Sequence, residues 1–126
     1  MKPPVWVLRE AVLNLHEQLR EAFGGEPGVR DETVFEAVLT RPEKLFSCGD
    51  STLFDLGASY AHGFMKDRPF VDGNQRIGFA VAALFMELNG YRLVASDEEA
   101  RIQALAAAQL RESDYAAWMK GRTRRI

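Results

Sequence analysis

Apolar residues recur along most of the chain at the three- and four-residue spacing that is typical of amphipathic helices. The first helical segment covers residues 7–23 and is stopped by the glycine pair at 24–25. Asp31 is placed to cap a short second helix, which is expected to end before Pro42 because the residue preceding a proline disfavours helical geometry. Residues 41–51 are then expected to be irregular.

The middle of the chain predicts the two most apolar helices. One runs from residue 53 to about residue 67 and has one apolar stripe. The next covers about residues 73–89 and is apolar around nearly its whole circumference, which is typical of a helix in the centre of a domain. Asp72 and Gln75 have the spacing of a capping box at its start, and the Asn-Gly pair at 89–90 is expected to end it.

The last third of the chain predicts two more helices and very little strand. Residues 91–94 are expected to be briefly extended. Ser96 and Glu99 have the spacing of a second capping box, for a helix that continues to Leu110, and a last short helix is expected at about residues 113–120. The predicted fold class is therefore all-α, a compact bundle of about six helices around the central apolar helix, with little or no β structure.

Length and composition narrow the class of protein further. A chain of 126 residues fits a single domain, here residues 1–126. The net charge of −2 gives no broad attraction for nucleic acid, and the basic cluster at residues 122–125 is expected to be a solvated end. The single cysteine, Cys48, suits a reducing compartment, and no apolar run is long enough to span a bilayer. We therefore expect a cytoplasmic protein without direct nucleic-acid or membrane partners.

The stretch RPFVDGNQR, residues 68–76, carries the candidate chemistry. It precedes and opens the central helix, and the start of a helix can hold an anion because its first amide hydrogens have no intrahelical partner and the helix dipole is positive there. Simpler roles compete with this one. Asp72 could act only as a helix cap, Arg76 could form only a surface ion pair, and Gln75 could serve capping or phosphate contact.

Two histidines lie outside this stretch. His16 is on the apolar border of the first helix and is expected to be a hydrogen-bonded structural residue. His62 lies opposite the apolar stripe of its helix and is expected to be solvated. Neither has the spacing of a metal site.

Residues 68–76 resemble the signature loop of the Fic/Doc family, His-x-Phe-x-Asp-Gly/Ala-Asn-Lys/Gly-Arg, with Arg68 in the place of the histidine. Further similarity to the death-on-curing (Doc) toxin branch lies at residues 24–31, 41–42, 60–61 and 88–91. Known members of that branch are bacterial toxins paired with a small antitoxin, and the type member phosphorylates a threonine of elongation factor Tu with ATP. Most other Fic enzymes transfer AMP to a hydroxyl.

The resemblance implies a role for each matched residue. Phe70 would anchor the loop in the core, and Asp72 would lie near a magnesium ion and the substrate hydroxyl. Gly73 and Asn74 would close on a phosphate through backbone and side-chain groups. Arg76 would neutralise charge on the phosphates of ATP.

Arg68 and Gln75 depart from the family pattern. The family histidine takes the proton from the attacking hydroxyl, whereas a guanidinium stays protonated and cannot. General-base catalysis contributes typically ~10²–10⁴-fold, so this chain is expected to be inactive or attenuated, either as a natural degenerate member or as an inactivated form of an active parent. Gln75 stands where Doc toxins carry lysine and AMP-transferring enzymes carry glycine.

The expected function is that of a Doc-type toxin, in its active form an ATP- and Mg²⁺-dependent protein phosphotransferase that modifies a translation factor such as elongation factor Tu. Its expected partner is a small antitoxin. Two alternatives stay open: an AMP transferase of the same fold, and a non-catalytic protein that binds a nucleotide or a partner.

Overall fold

The computed structural model describes residues 3–96, 99 and 111–126, and these are mostly helical. The elements are α1 (Arg9–Phe23), α2 (Glu32–Ser47), α3 (Leu53–Asp67), α4 (Asn74–Leu88), β1 (Tyr91–Leu93), α5 (Glu112–Arg122) and β2 (Thr123–Arg125). The all-α prediction is confirmed, with five helices in the described ranges. None of the described helices has the length and apolarity needed to cross a membrane.

The helix predicted from Ser96 lies mostly outside the described residues. Its start keeps half of the predicted capping box, since the Ser96 hydroxyl accepts a hydrogen bond from the Glu99 amide at 3.1 Å. The Glu99 carboxylate instead accepts a hydrogen bond from Arg122 at 2.6 Å. The remainder, residues 100–110, is not among the described residues.

The centre of the domain is formed by α3 and α4, which pack along each other. The prediction of a buried α4 is confirmed: it contacts α1, α3 and β1, and seven of its residues are buried. The α3 helix is enclosed still further, because it packs against α2, α4 and α5, and its ten consecutive residues 56–65 are all buried. Together these two helices fix the position of the loop between them.

A two-stranded antiparallel sheet joins the end of α4 to the end of the chain. Tyr91 pairs with Arg125, and Leu93 pairs with Thr123. The predicted extension after α4 is therefore confirmed. The basic cluster at the end supplies β2, with the side chains of Arg124 and Arg125 exposed.

The predicted end of α2 before Pro42 is wrong, as is the irregular stretch predicted to follow it. The α2 helix continues through Pro42 to Ser47. The proline ring is buried, and Leu45 and Phe46, one turn further on, pack against the core. Apolar burial in the last turn thus outweighs the backbone hydrogen bond that a proline removes from a helix.

The prediction that His62 is solvated is also wrong. Only 8% of its surface is exposed, because α3 is covered on this side by α5. The Nδ1 atom of His62 lies 3.5 Å from a carboxylate oxygen of Glu112, and the same oxygen lies 2.7 Å from Arg41. Glu112 therefore connects α5 to both α2 and α3.

Candidate functional site

The loop between α3 and α4, residues 68–73, is held to the core by Phe70. The ring of Phe70 is 1% exposed and packs against Phe35 and Phe64, as the sequence predicts. The side chain of Asn74 closes the loop, because its Oδ1 atom accepts from the Phe70 amide and its Nδ2 atom donates to the Phe70 carbonyl, both at 3.0 Å. The start of α4 therefore has a fixed backbone.

The predicted capping box of Asp72 and Gln75 is not formed. The N-cap of α4 is Gly73, which adopts the left-handed conformation at φ 76° and gives no side-chain cap. The first hydrogen bond of the helix runs from the Ile77 amide to the Gly73 carbonyl at 3.0 Å. The three amides before it, at residues 74–76, therefore have no partner within the helix and point out of its start.

The Asp72 carboxylate is held beside this helix start by two backbone amides. One oxygen accepts from Glu26 at 3.2 Å, and the other accepts from Gly73 at 2.9 Å. These hydrogen bonds, with a smaller contribution from the positive charges of Arg68 and Arg76, lower the pKa of Asp72 below its ordinary value. The carboxylate is therefore ionised at neutral pH and exposed to solvent.

The loop between α1 and α2 forms one wall of the site. It runs antiparallel to the α3–α4 loop, with hydrogen bonds from the Arg30 amide to the Pro69 carbonyl at 2.7 Å and from the Val71 amide to the Gly28 carbonyl at 3.0 Å. Gly25 has a φ of +112°, and a Cβ atom there would lie 3.0 Å from a carboxylate oxygen of Asp72. Glycine at this position thus permits the close approach of the wall to Asp72.

His16 supports the site from α1. Its Nε2 atom donates to the Asp72 carbonyl at 2.9 Å, since a carbonyl can only accept. Its ring stacks on Phe70 with the centroids 3.8 Å apart and the planes inclined by 7°. The expectation of a hydrogen-bonded structural histidine is confirmed.

Two arginines with different environments flank the helix start. Arg68 is exposed and adopts the left-handed conformation at φ 53° as the C-cap of α3. Arg76 extends toward the end of α1, where its Cζ atom lies over the Phe23 ring at 4.5 Å from the centroid. A small open depression lies between α1 and the start of α4 and is lined by His16, Leu19, Arg20, Gly24, Gly25, Glu26, Asp72, Gly73 and Arg76.

The structure thus brings Asp72, Gly73 and Arg76 together at one depression. Asn74 is not among the residues that line it, and its side chain is 3% exposed and bonded to Phe70. Gln75 is half-buried at the second position of α4. Sequence reasoning missed the contacts of Phe23 with Arg76 and of Gly25 with Asp72, because each joins residues that are distant in the chain.

The donor set at this site suits magnesium only in company with phosphates. In the described part of the chain, no group of three or more histidine, cysteine or acidic residues could hold a metal ion. Mg²⁺ bound with a nucleotide commonly takes one or two carboxylates and completes its shell with phosphate oxygens and water. The single ionised carboxylate of Asp72, next to three unpaired amides, fits that pattern.

Comparison with known proteins identifies the family of this chain. Residues 6–86 match the model of the Fic/DOC family, a region that includes α1 to α4 up to Met86 and the whole site. The chain belongs to the Fic/Doc family. It is 34% identical over 86 residues to "Toxin Doc" of Mycolicibacterium smegmatis, and 30% identical over 99 residues to "Protein kinase doc" of Escherichia phage P1. These relatives place it in the Doc branch of the family.

The matches cover most of the chain and of the relatives. The first spans 67% of this chain and 66% of the Mycolicibacterium protein, and the second spans 78% of this chain and 79% of the phage protein. The Fic/Doc fold is therefore shared along the helices that build the site.

Proposed function

We propose that this chain is a Doc-type toxin that binds the phosphates of ATP, together with Mg²⁺, at the start of α4. In its active form it is a protein phosphotransferase acting on a hydroxyl of a translation factor, with elongation factor Tu as the candidate substrate, and a small antitoxin neutralises it. The observation that carries the proposal is that Asp72 and Arg76 line one open depression at the start of α4, the helix whose first three amides have no partner within it.

Each of these groups has a physical role in the proposed site. The amides of residues 74–76 and the positive end of the α4 dipole attract phosphate oxygens. Arg76 adds charge-assisted hydrogen bonds, which are roughly twice as strong as neutral ones. Asp72 would hold Mg²⁺, which would neutralise charge on the transferred group, and the same carboxylate would orient a substrate hydroxyl.

Arg68 cannot act as the base that the family histidine provides. Its left-handed backbone conformation is one in which histidine, asparagine and aspartate are several-fold enriched over other non-glycine residues, so the position itself favours the family histidine. The guanidinium cannot accept a proton. This chain is therefore inactive or attenuated in transfer, and nucleotide or partner binding without catalysis is the second candidate function.

A titration tests the phosphate site without requiring catalysis. We expect ATP with Mg²⁺ to bind the chain as it stands, with an affinity that falls as salt rises, because screened charge supplies part of it. Arg68→Ala is measured in parallel, and Arg124→Ala, which removes an exposed arginine from β2, is the control for net charge. Binding only to Arg68→Ala would mean that the arginine obstructs the depression, and binding to none of the proteins would contradict the proposal.

A further inference from the structure

Phe23 is an exposed aromatic residue at the rim of the site. It is the last residue of α1, and 61% of its surface is accessible to solvent. The Arg76 guanidinium lies over its ring, 4.5 Å from the centroid. Within the described residues, Arg76 forms no ion pair with a carboxylate, and its guanidinium lies against the Phe23 ring.

A ring contact suits an arginine that must bind an anion. A guanidinium attracted to the face of an aromatic ring keeps the hydrogen-bond donors in its own plane free. A carboxylate partner would occupy those donors and would cancel the charge that attracts phosphate. The ring therefore restricts the Arg76 side chain without competing for its ligand.

The helix that carries the Phe23 ring is held in place at its end and near its middle. Gly24 is the C-cap of α1, and its amide donates to the Arg20 carbonyl at 2.7 Å. Seven residues before Phe23, His16 ties the same helix to the α3–α4 loop through the Asp72 carbonyl. The α1 helix thus contacts the site at two points, one at the loop and one at Arg76.

We infer that Phe23 is a positioning residue that holds the Arg76 guanidinium in the orientation in which it contacts the phosphates of the bound nucleotide. This inference rests on the proposed function, since it takes Arg76 as a phosphate ligand. The order imposed by Phe23 lowers the entropic cost of ordering a long, exposed side chain when the nucleotide binds. Phe23 therefore raises the affinity for the nucleotide, and it does so only through Arg76.

Substitutions of Phe23 test this directly because the side chain is exposed and its loss leaves the core intact. We expect Phe23→Leu to weaken the binding of ATP with Mg²⁺ by about two- to fivefold, the range that an exposed cation–π contact supports. Phe23→Tyr keeps the aromatic face and should bind as the parent does. The midpoint of thermal unfolding should be the same in all three proteins, so that the difference in affinity is not a folding effect.

The double variant separates this inference from the proposed function. In an Arg76→Ala background, Phe23→Leu should have no further effect on the affinity for ATP with Mg²⁺. Three results would overturn the inference and leave the proposed phosphate site standing. Phe23→Leu could bind ATP with Mg²⁺ as tightly as the parent or more tightly, Phe23→Leu and Phe23→Tyr could lose affinity equally, or the loss could persist in the Arg76→Ala background. If Arg76→Ala itself binds as tightly as the parent, or if the parent does not bind, the proposed phosphate site falls and the inference falls with it.

Discussion

Replacing His16 tests whether α1 supports the α3–α4 loop, because this one side chain makes two separable contacts. Its Nε2–H group donates to the Asp72 carbonyl at 2.9 Å, and its ring stacks on Phe70 at 3.8 Å. His16→Phe keeps a ring and removes the donor, His16→Gln keeps a donor and removes the ring, and His16→Ala removes both. Gln18→Ala, an exposed change on the same helix, is the control.

The expected losses follow from the geometry of the two contacts. The hydrogen bond contributes about 1 kcal/mol to the free energy of unfolding, because Asp72 is exposed and its carbonyl can turn to water. The near-parallel stack contributes about 1 kcal/mol. Loss of the buried ring surface adds roughly 1 kcal/mol, since His16 is only 6% exposed. We therefore expect about 1 kcal/mol for His16→Phe, about 2 for His16→Gln and about 3 for His16→Ala.

Urea denaturation followed by circular dichroism measures these differences, with the m-value checked for two-state behaviour. The control Gln18→Ala should lie within about 0.5 kcal/mol of the parent. Equal losses in His16→Phe and His16→Ala would refute a separate role for the stack. A His16→Ala variant as stable as the Gln18→Ala control would refute the support of the loop by α1 altogether.

Two further predictions concern the Asp72 carboxylate and the wall beside it. Gly25→Ala and Gly28→Ala both place alanine at positive φ, which costs about 1 kcal/mol of strain, but only the new Cβ atom at position 25 lies 3.0 Å from Asp72. Urea denaturation should therefore show the larger loss of stability for Gly25→Ala, and equal losses would contradict the close contact. Because the folded pKa of Asp72 is lowered from 3.8, its stabilising contribution is present above that pH and is lost as pH falls through the lowered pKa. The melting temperatures of the parent and of Asp72→Asn should therefore converge as the pH is lowered through this window, and a difference that is constant with pH would contradict the hydrogen bonds assigned to the ionised form.

The parts of the fold with a strong local signal could be predicted from the sequence. The apolar circumference of α4 and the Asn-Gly pair after it predicted its burial and its end correctly. The predicted end of α2 before Pro42 was wrong because the burial of Leu45 and Phe46 one turn later outweighs the tendency of proline to end a helix. The prediction that His62 is solvated was wrong because it assumed that α3 has one buried face, whereas α2, α4 and α5 all pack against this helix.

The contacts within the candidate site could not be predicted from the sequence. Asp72 and Gln75 have the spacing of a capping box, but the Asp72 carboxylate is occupied by the amides of Glu26 and Gly73. The Glu26 amide comes from a loop 46 residues earlier, and the contact of Phe23 with Arg76 is also between distant parts of the chain. Such partners carry no periodic or motif signal, so only the folded structure reveals them.

Arg68→His tests whether the start of α4 is a phosphate-transfer site in which Arg68 replaces the family's base. Purified parent and variant are incubated with Mg²⁺, elongation factor Tu and ATP labelled on either the α- or the γ-phosphate. We expect Arg68→His to transfer the γ-label, and the parent to do so more slowly by about 10²–10⁴-fold, the usual contribution of a general base. The double variant Arg68→His,Asp72→Ala should transfer neither label. Transfer of the α-label would assign the chain to AMP transfer. If Arg68→His is folded and neither it nor the parent transfers either label, the proposed phosphotransferase function is wrong.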